Sequence, residues 1–155
     1  MPSNGKGVRK DIAVNRRARH DYFIEETFEA GIELLGTEVK AMREGKANIR
    51  EGYVRVDRGE AWLENVHISQ YEQGGYVNHE PMRRRRLLLH RRQIDRIQGQ
   101  IKLKGYTLVP LRLFFSGNWA KLELGLAQGK KLYDKRQTLA EQDARRQMER
   151  AVKEG

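Results

Sequence analysis

Two arginine-rich segments carry the side chains best suited to bind anions. Residues 15–20 include three arginines, and residues 83–96 include seven arginines against one aspartate. Guanidinium groups bind phosphate through paired hydrogen bonds, and guanidinium planes and histidine rings also stack on unpaired bases. Both segments therefore indicate contact with a polyanion. A solvated turn is the alternative for the first, and a surface helix with outstretched arginines is the alternative for the second.

Two further segments combine an aromatic ring with lysine. Trp119 and Lys121 fall on the outer face of a predicted strand, where a ring can stack on a base beside a phosphate contact. Trp119 covering the end of the domain is the alternative. In residues 129–136, Gly129 loosens the backbone, Lys130 and Lys131 supply charge, and Tyr133 supplies a ring.

The segment that follows residue 133 has the pattern of a weak helix. Glu141–Arg145 and Glu149–Lys153 form favourable pairs four residues apart, but the apolar stripe is thin. A helix of about 20 residues with so little to bury is marginal in water. We expect it to be mobile alone and helical when docked on a partner. A permanently solvated tail is the alternative.

Catalytic and metal-binding patterns are sparse. The four histidines, at 20, 67, 79 and 90, lack the spacing of metal ligands, and no phosphate-binding glycine loop or serine nucleophile motif occurs. A ribonuclease that uses His20 and His90 as acid and base is one alternative hypothesis. Without cysteine, the 155-residue chain forms no disulfide. We predict no enzyme activity, no cofactor and no metal.

The charge distribution also favours a nucleic-acid partner. The net charge is +10, made up of +5 over residues 1–20, −7 over residues 21–82 and +12 over residues 83–155. Basic regions at both ends of an acidic middle are typical of cationic surfaces on a balanced domain. No apolar run reaches the ~20 residues that a membrane span needs, and we expect no secretory signal, because no apolar stretch follows the basic residues near the N-terminus. The protein is therefore predicted to be cytoplasmic.

The elements that must position these residues are mostly strands. Alternation of apolar and polar residues predicts a long strand over 22–34, with a bulge where Phe23 and Glu26 break the pattern. Thr37 is expected to cap a short helix, and Gly105 to end a longer one. The full prediction is strands at 22–34, 47–57, 60–68, 107–115 and 120–126, helices at 38–44 and from 87 to 104, and a helical turn at 83–86.

Five or more antiparallel strands with inserted helices in so short a chain favour a barrel. We predict a mainly β fold, an oligonucleotide-binding (OB)-like antiparallel barrel with about three short helices and a flexible C-terminal tail. A two-layer α+β sheet is the alternative. The predicted division is a flexible arm at 1–12, the RNA-binding barrel at 13–130 and the tail at 131–155.

Taken in order, several stretches resemble the bacterial SsrA-binding protein family, also called small protein B. The matching stretches cover roughly residues 13–136 and include 15–26, 28–32, 36–40, 43–48, 85–89, 105–111 and 129–136. The resemblance implies an OB-like protein that binds the tRNA-like domain of transfer-messenger RNA (tmRNA, SsrA). It also implies delivery of that RNA to stalled ribosomes for trans-translation, with the tail folding in the messenger channel near the decoding centre.

The resemblance also implies particular residue functions. Positions Asn15, Glu29, Leu89 and Lys121 match RNA-binding positions of the family, and Leu89 is equally well suited to the core. The ribosome-binding tail is predicted to include Tyr133, Asp134, Lys135, Arg136, Arg145, Arg146 and Arg150. The predicted RNA-binding set is Asn15, Arg16, Arg17, Arg19, His20, Glu29, Lys40, Lys46, Asn48, Arg85, Arg86, Leu89, Lys121, Lys130 and Lys131.

Through the RNA, elongation factor Tu and alanyl-tRNA synthetase are implied as indirect partners, and no membrane is. A generic OB module for ribosomal RNA or tRNA is the principal alternative.

Overall fold

A computed structural model describes residues 9–130 and 145–146. Between 9 and 130 it contains nine strands, three α-helices and one 3-10 helix at Glu72–Gly74. In chain order the elements are β1 (Arg9–Val14), α1 (Ala18–Asp21), β2 (Tyr22–Ile32), α2 (Gly36–Arg43), β3 (Ala47–Asn48), β4 (Tyr53–Asp57), β5 (Glu60–Glu64), β6 (His67–Ile68), β7 (Arg85–Leu88), α3 (Arg91–Lys104), β8 (Thr107–Ser116) and β9 (Trp119–Gly129).

Six of the strands close into a ring. The order β8-β4-β5-β7-β2-β9 returns to β8 through the long β8–β9 hairpin, and every pairing is antiparallel. Closure between β4 and β8 depends on one residue pair, Val54 with Leu108. The ring is therefore irregular, but the predicted mainly β, OB-like fold is confirmed.

The core fills the ring because alternate residues of each strand point inward. Leu63, Leu113, Leu122 and Leu124 are fully buried at its centre. Outer residues of the same strands are less buried; in β5, Glu60, Trp62 and Glu64 are partly exposed. Bulges adjust this alternation, with register shifts between Ile24 and Glu26 and between Pro110 and Arg112. The bulge between Ile24 and Glu26 is the one expected from the sequence.

Helix α3 forms over Arg91–Lys104 and ends where predicted, but it begins four residues later than the predicted start at 87, because Leu87 and Leu88 belong to β7. Ile94 and Ile97 are buried on one face, and Gly105 ends the helix in the left-handed conformation at φ 66°. Helix α2 also forms, but Thr37 is not its cap. The Leu35 N–H instead donates to the Glu38 carboxylate at 2.8 Å, and the Thr37 hydroxyl is hydrogen-bonded to His79.

Two segments differ from the prediction. Residues 9–12 were expected in the flexible arm, but they belong to β1, which pairs with the outer edge of β8 from Arg9 to Val14. Residues 83–86 were expected to form a helical turn, but Arg85 and Arg86 lie in β7 between β5 and β2. In both cases the neighbouring strand supplies hydrogen bonds that local sequence preference does not reveal.

Candidate nucleic-acid interface

The turn after β1 is fixed by Asn15. Its backbone N–H donates to the Leu111 carbonyl at 2.8 Å, and its side-chain Nδ2 donates to the Pro110 carbonyl at 3.0 Å. Ala18 is buried beneath the turn, only 2% exposed. Asn15 thus joins the end of β1 to β8, and α1 projects from a rigid base. The Asn15 Oδ1 atom is buried without a hydrogen-bond partner among the described residues.

Four cationic or titratable side chains project from this turn. Arg16, Arg17, Arg19 and His20 are all exposed. His20 Nδ1 lies 2.9 Å from Asp21 Oδ1, and Arg17 Nε lies 4.0 Å from Asp21 Oδ2. Arg16 and Arg19 form no ion pair with any described residue. The turn therefore carries more positive charge than the surrounding protein neutralises, as a phosphate-binding surface requires.

Neighbouring elements extend this cationic area. Tyr22 pairs with Gly129, so the end of β9 lies beside α1, and Lys130 lies over the Phe23 ring at 5.1 Å from its centroid. On the other side, an open cleft of about 350 Å³ is lined by Asn15, Arg17, Arg50 and Tyr53. We call the area formed by Arg16, Arg17, Arg19, His20, Arg50 and Lys130 the α1 surface.

A second candidate area lies at the other end of β2 and β9. Lys121 pairs across the sheet with Gly31, and its Nζ donates to the Glu29 carboxylate at 2.8 Å. Beside this ion pair is an apolar cleft of about 450 Å³ whose walls include Leu88 and Trp119. Trp119 is 75% exposed. We call the area formed by Glu29, Leu88, Trp119 and Lys121 the β2–β9 surface.

Leu88 is a residue that sequence reasoning missed on this surface. It is 48% exposed, whereas Leu89, which was predicted to bind RNA, is partly buried and packs against the core. The period-two pattern of a strand would have identified Leu88 if residues 85–88 had been recognised as β7. Gly31 lies close beneath it, since a Cβ at Gly31 would come within 3.3 Å of the Leu88 Cβ.

The second arginine-rich segment is largely structural, and Arg85, which was predicted to bind RNA, is buried inside the protein. Arg85 is fully buried and donates to the Glu38 carboxylate at 2.6 Å, the Val66 carbonyl at 2.7 Å and the Pro81 carbonyl at 3.0 Å. Glu38 is also fully buried and accepts from Arg83 at 2.6 Å. The anion that these arginines need is therefore one of the protein's own carboxylates.

This buried network shifts the pKa of both Glu38 and Arg85. Burial alone would raise the pKa of Glu38, but hydrogen bonds from Arg83, the Leu35 N–H and Arg85 outweigh it and hold the pKa below its ordinary value. Burial lowers the pKa of Arg85, and Glu38 opposes that shift. Glu38 is thus held as a carboxylate between two guanidinium groups.

The other arginines of this segment are exposed to different degrees and mostly paired. Arg86 donates to Glu60 at 2.8 Å, an interaction that raises the pKa of Arg86, and it also reaches Glu33 at 3.3 Å. Arg84 stacks on Trp62 with 3.8 Å between the guanidinium carbon and the ring centroid. An RNA phosphate would have to compete with these internal partners.

Three predicted residues near α2 also have partners within the protein. Lys40 lies 5.5 Å from the centroid of the Tyr71 ring, and Lys46 lies 3.7 Å from Glu44 and 3.5 Å from Glu72. The Asn48 side chain accepts from the Arg50 N–H at 2.9 Å and so fixes a turn. The structure does not bring these residues into the α1 surface or the β2–β9 surface as defined above.

Comparison with known proteins identifies the family. The family model described as SmpB protein matches residues 12–154. This chain belongs to the SmpB family. It is 60% identical over 153 residues to the SsrA-binding protein of Roseiflexus castenholzii, a match that covers 98% of this chain and 97% of that protein. It is 55% identical over 150 residues to the SsrA-binding protein of Halalkalibacterium halodurans, covering 97% of each.

A solved structure agrees with this SmpB assignment. The chain is similar to one described as "tmRNA-SmpB: a journey to the center of the bacterial ribosome", with a TM-score of 0.63 and 52% sequence identity. The match covers 76% of this chain and 82% of that chain. The resemblance seen in the sequence is therefore confirmed.

Part of the predicted SmpB-type interface lies outside the described residues, namely Lys131, Tyr133, Asp134, Lys135, Arg136 and Arg150. Arg145 and Arg146 are described as helical and exposed. Within the described part of the chain, no group of three or more histidine, cysteine or acidic side chains could hold a metal ion. In that same part, no helix has the length and apolar character needed to cross a membrane.

Proposed function

We propose that this protein binds the tRNA-like domain of transfer-messenger RNA and delivers that RNA to stalled ribosomes for trans-translation. The observation that carries the proposal is the α1 surface, where the exposed Arg16 and Arg19, which form no ion pair with described residues, project from a hydrogen-bonded turn in a chain of the SmpB family. Its relatives are named SsrA-binding proteins. The activity belongs in the cytoplasm, and it is binding rather than catalysis.

The two surfaces suit different parts of a folded RNA. The α1 surface supplies unneutralised positive charge, which favours the phosphate backbone and makes affinity depend on salt. The β2–β9 surface offers an exposed ring, an apolar wall and a Lys121–Glu29 pair. These groups suit an unpaired base, which stacks on an aromatic ring while lysine contacts its phosphate.

The C-terminal tail supplies the ribosome contact in this proposal. Tyr133, Asp134, Lys135 and Arg136, together with Arg145, Arg146 and Arg150, would engage the messenger channel near the decoding centre. Elongation factor Tu and alanyl-tRNA synthetase are reached through the bound RNA. Deleting residues 134–155 should leave RNA affinity within about twofold and abolish the rescue of stalled ribosomes. Equal loss of both activities would contradict this division.

The function is tested by the RNA that co-purifies with the protein from its native cell. We expect one small structured RNA, the transfer-messenger RNA, and in vitro binding of its tRNA-like domain below micromolar concentration. Recovery of bulk ribosomal RNA or mixed tRNA would instead favour the generic OB module.

The α1 surface can be tested separately with a matched pair of variants. Arg16 and Arg19 are exposed and form no ion pair with described residues, and Arg58, in the hairpin at the far end of β4, shares both properties. The double change Arg16→Ala and Arg19→Ala should weaken binding by at least tenfold and reduce the salt slope by about 1–2, since each lost phosphate contact removes nearly one unit. Arg58→Ala should change affinity less than threefold. Equal losses would refute a localised surface.

A further inference from the structure

The loop between β6 and β7 presents an exposed apolar tip that the proposed RNA surfaces do not use. Tyr76 is fully exposed and Val77 is 81% exposed, and the two are adjacent in the middle of the segment 69–82, at the tip of the loop. An isolated exposed apolar residue is ordinary on a protein surface. Tyr76 and Val77 form an adjacent pair of exposed apolar side chains, and hydrogen bonds within the loop hold this pair away from the domain.

The neck of the loop is closed by hydrogen bonds of the Asn78 amide. Its Nδ2 donates to the Tyr71 carbonyl at 2.7 Å, and its Oδ1 accepts from the Tyr71 N–H at 3.2 Å and from the His79 N–H at 3.1 Å. The 3-10 helix Glu72–Gly74 fills the space between. Gly75 follows with φ 61° and ψ −131°, a conformation that strongly favours glycine.

The loop is also anchored to the core below its neck. His79 is buried, 2% exposed, with its ring nitrogens 2.9 Å from the Thr37 hydroxyl and 2.8 Å from the Ile68 carbonyl. The Gln70 side chain donates to the His79 carbonyl at 3.0 Å. Tyr76 and Val77 therefore project from a preorganised support, so that binding through them costs little conformational entropy.

The charge of the loop argues against a polyanion at this tip. Residues 69–82 contain Glu72 and Glu80 but no lysine or arginine, in a chain whose net charge is +10. Two lysines lie near the loop base: Lys46 is 3.5 Å from Glu72, which partly neutralises it, and Lys40 is 5.5 Å from the centroid of the Tyr71 ring. A nucleic acid gains little here, whereas an apolar pocket with a cationic rim complements both the aromatic tip and the flanking carboxylates.

We propose that loop 69–82 is a protein-docking element, in which Tyr76 and Val77 insert into an apolar pocket with a basic rim on a protein of the ribosomal assembly. This inference rests on the proposed function, because the ribosome is where the partner is sought. Exposed aromatic side chains that fill a pocket typically supply a large share of interface affinity. The docking is additional to RNA binding and uses none of the residues of the α1 surface or the β2–β9 surface.

The test replaces Tyr76 with a photoreactive phenylalanine derivative in the full-length protein. Leu103, which is 85% exposed on α3, receives the same replacement as a matched control. Each protein is mixed with transfer-messenger RNA and purified stalled ribosomes, irradiated and analysed by mass spectrometry. We expect position 76 to form an adduct with one ribosome-associated protein at least ten times more efficiently than position 103. We also expect Tyr76→Ala to weaken ribosome binding about tenfold without changing affinity for the isolated RNA.

The outcomes separate the inference from the proposed function. If the complex sediments with ribosomes but position 76 reacts with RNA, the protein-docking inference is overturned. The same holds if it reacts no more than position 103. If wild-type protein and transfer-messenger RNA do not associate with ribosomes at all, the proposed function fails and the inference falls with it. A protein adduct at position 76, together with the selective loss in Tyr76→Ala, supports the inference.

Discussion

Replacing Arg85 with methionine tests whether the second arginine-rich segment is structural. The side chain would lose three hydrogen bonds, to Glu38, Val66 and Pro81, in a region with no solvent access. Glu38 would keep Arg83 and the Leu35 N–H but lose its fully buried partner. Breaking a buried ion pair by removing one partner typically costs about 3–5 kcal/mol. We expect Arg85→Met to lower the free energy of unfolding by that amount.

The assay is thermal and urea unfolding followed by circular dichroism. For a domain of this size, about 2–4 °C is lost per kcal/mol, so the expected fall in Tm is roughly 6–20 °C. Arg84→Met is the matched control, because Arg84 is exposed and stacks on Trp62, and it should cost only about 1 kcal/mol. The double change Glu38→Leu and Arg85→Met should recover part of the stability, since an unpaired buried charge is then absent.

The alternative, that Arg85 binds RNA directly, makes the opposite prediction. At a temperature where the variant is folded, we expect its affinity for the tRNA-like domain to stay within about twofold of wild type. An unchanged Tm with a large loss of RNA affinity would refute the reasoning.

Three further predictions concern single features of the fold and its surfaces. Because Glu38 has a folded-state pKa below its ordinary value of 4.5, its contribution to stability should be complete above pH 4.5 and lost as pH falls through the folded-state pKa. Glu38→Gln should therefore reduce the loss of unfolding free energy at acidic pH, measured by urea unfolding from pH 7 to 3. Lys121→Ala should weaken binding of the tRNA-like domain several-fold in a filter-binding assay while costing less than about 1 kcal/mol of stability, because the Lys121–Glu29 pair is solvent-exposed. If the free energy of unfolding falls as much as the free energy of RNA binding, Lys121 is structural instead. Gly52→Ala should destabilise the fold by about 1–3 kcal/mol in thermal unfolding, since its Cβ would lie 2.5 Å from Val66 Cγ2. Gly99→Ala, whose Cβ would have nothing within 4 Å, should be neutral or stabilising by up to about 1 kcal/mol in the same assay.

The long strands and α3 could be predicted because their residues alternate or repeat over many positions. The β8–β9 hairpin, the bulge after Ile24 and the left-handed end of α3 at Gly105 were all identified from local pattern. These features depend on neighbours in sequence, where side-chain periodicity and glycine conformation act directly.

Strands β1 and β7 could not be predicted, because their stability comes from distant partners. Arg9–Val14 combines three charged residues with only three apolar ones, and its pairing with β8 is not visible in its own composition. In β7 the run of four arginines concealed a strand whose inward residue, Arg85, is matched to Glu38, 47 positions away. An arginine that binds an internal carboxylate and one that binds an external phosphate have the same appearance in a sequence.

The positions of the candidate residues, though not their roles, can be compared with the prediction. Arg16, Arg17 and Arg19 are exposed and Lys121 contacts Glu29, whereas Leu88 was not considered and Arg85 is buried. Arg86, Lys40 and Lys46 have internal partners that composition alone does not reveal. Charge therefore located the basic segments, but only the fold separated the cations available to a partner from those already used.

The central claim is that a compact β scaffold presents cationic surfaces to a folded RNA. The most direct measurement is equilibrium binding of the purified protein to the tRNA-like domain of transfer-messenger RNA across a series of salt concentrations. We expect a dissociation constant below micromolar at low salt and a linear log–log decline, with a slope of about −0.7 to −0.9 for each phosphate neutralised. An affinity independent of salt, or no binding to this RNA at any salt concentration, would contradict the account.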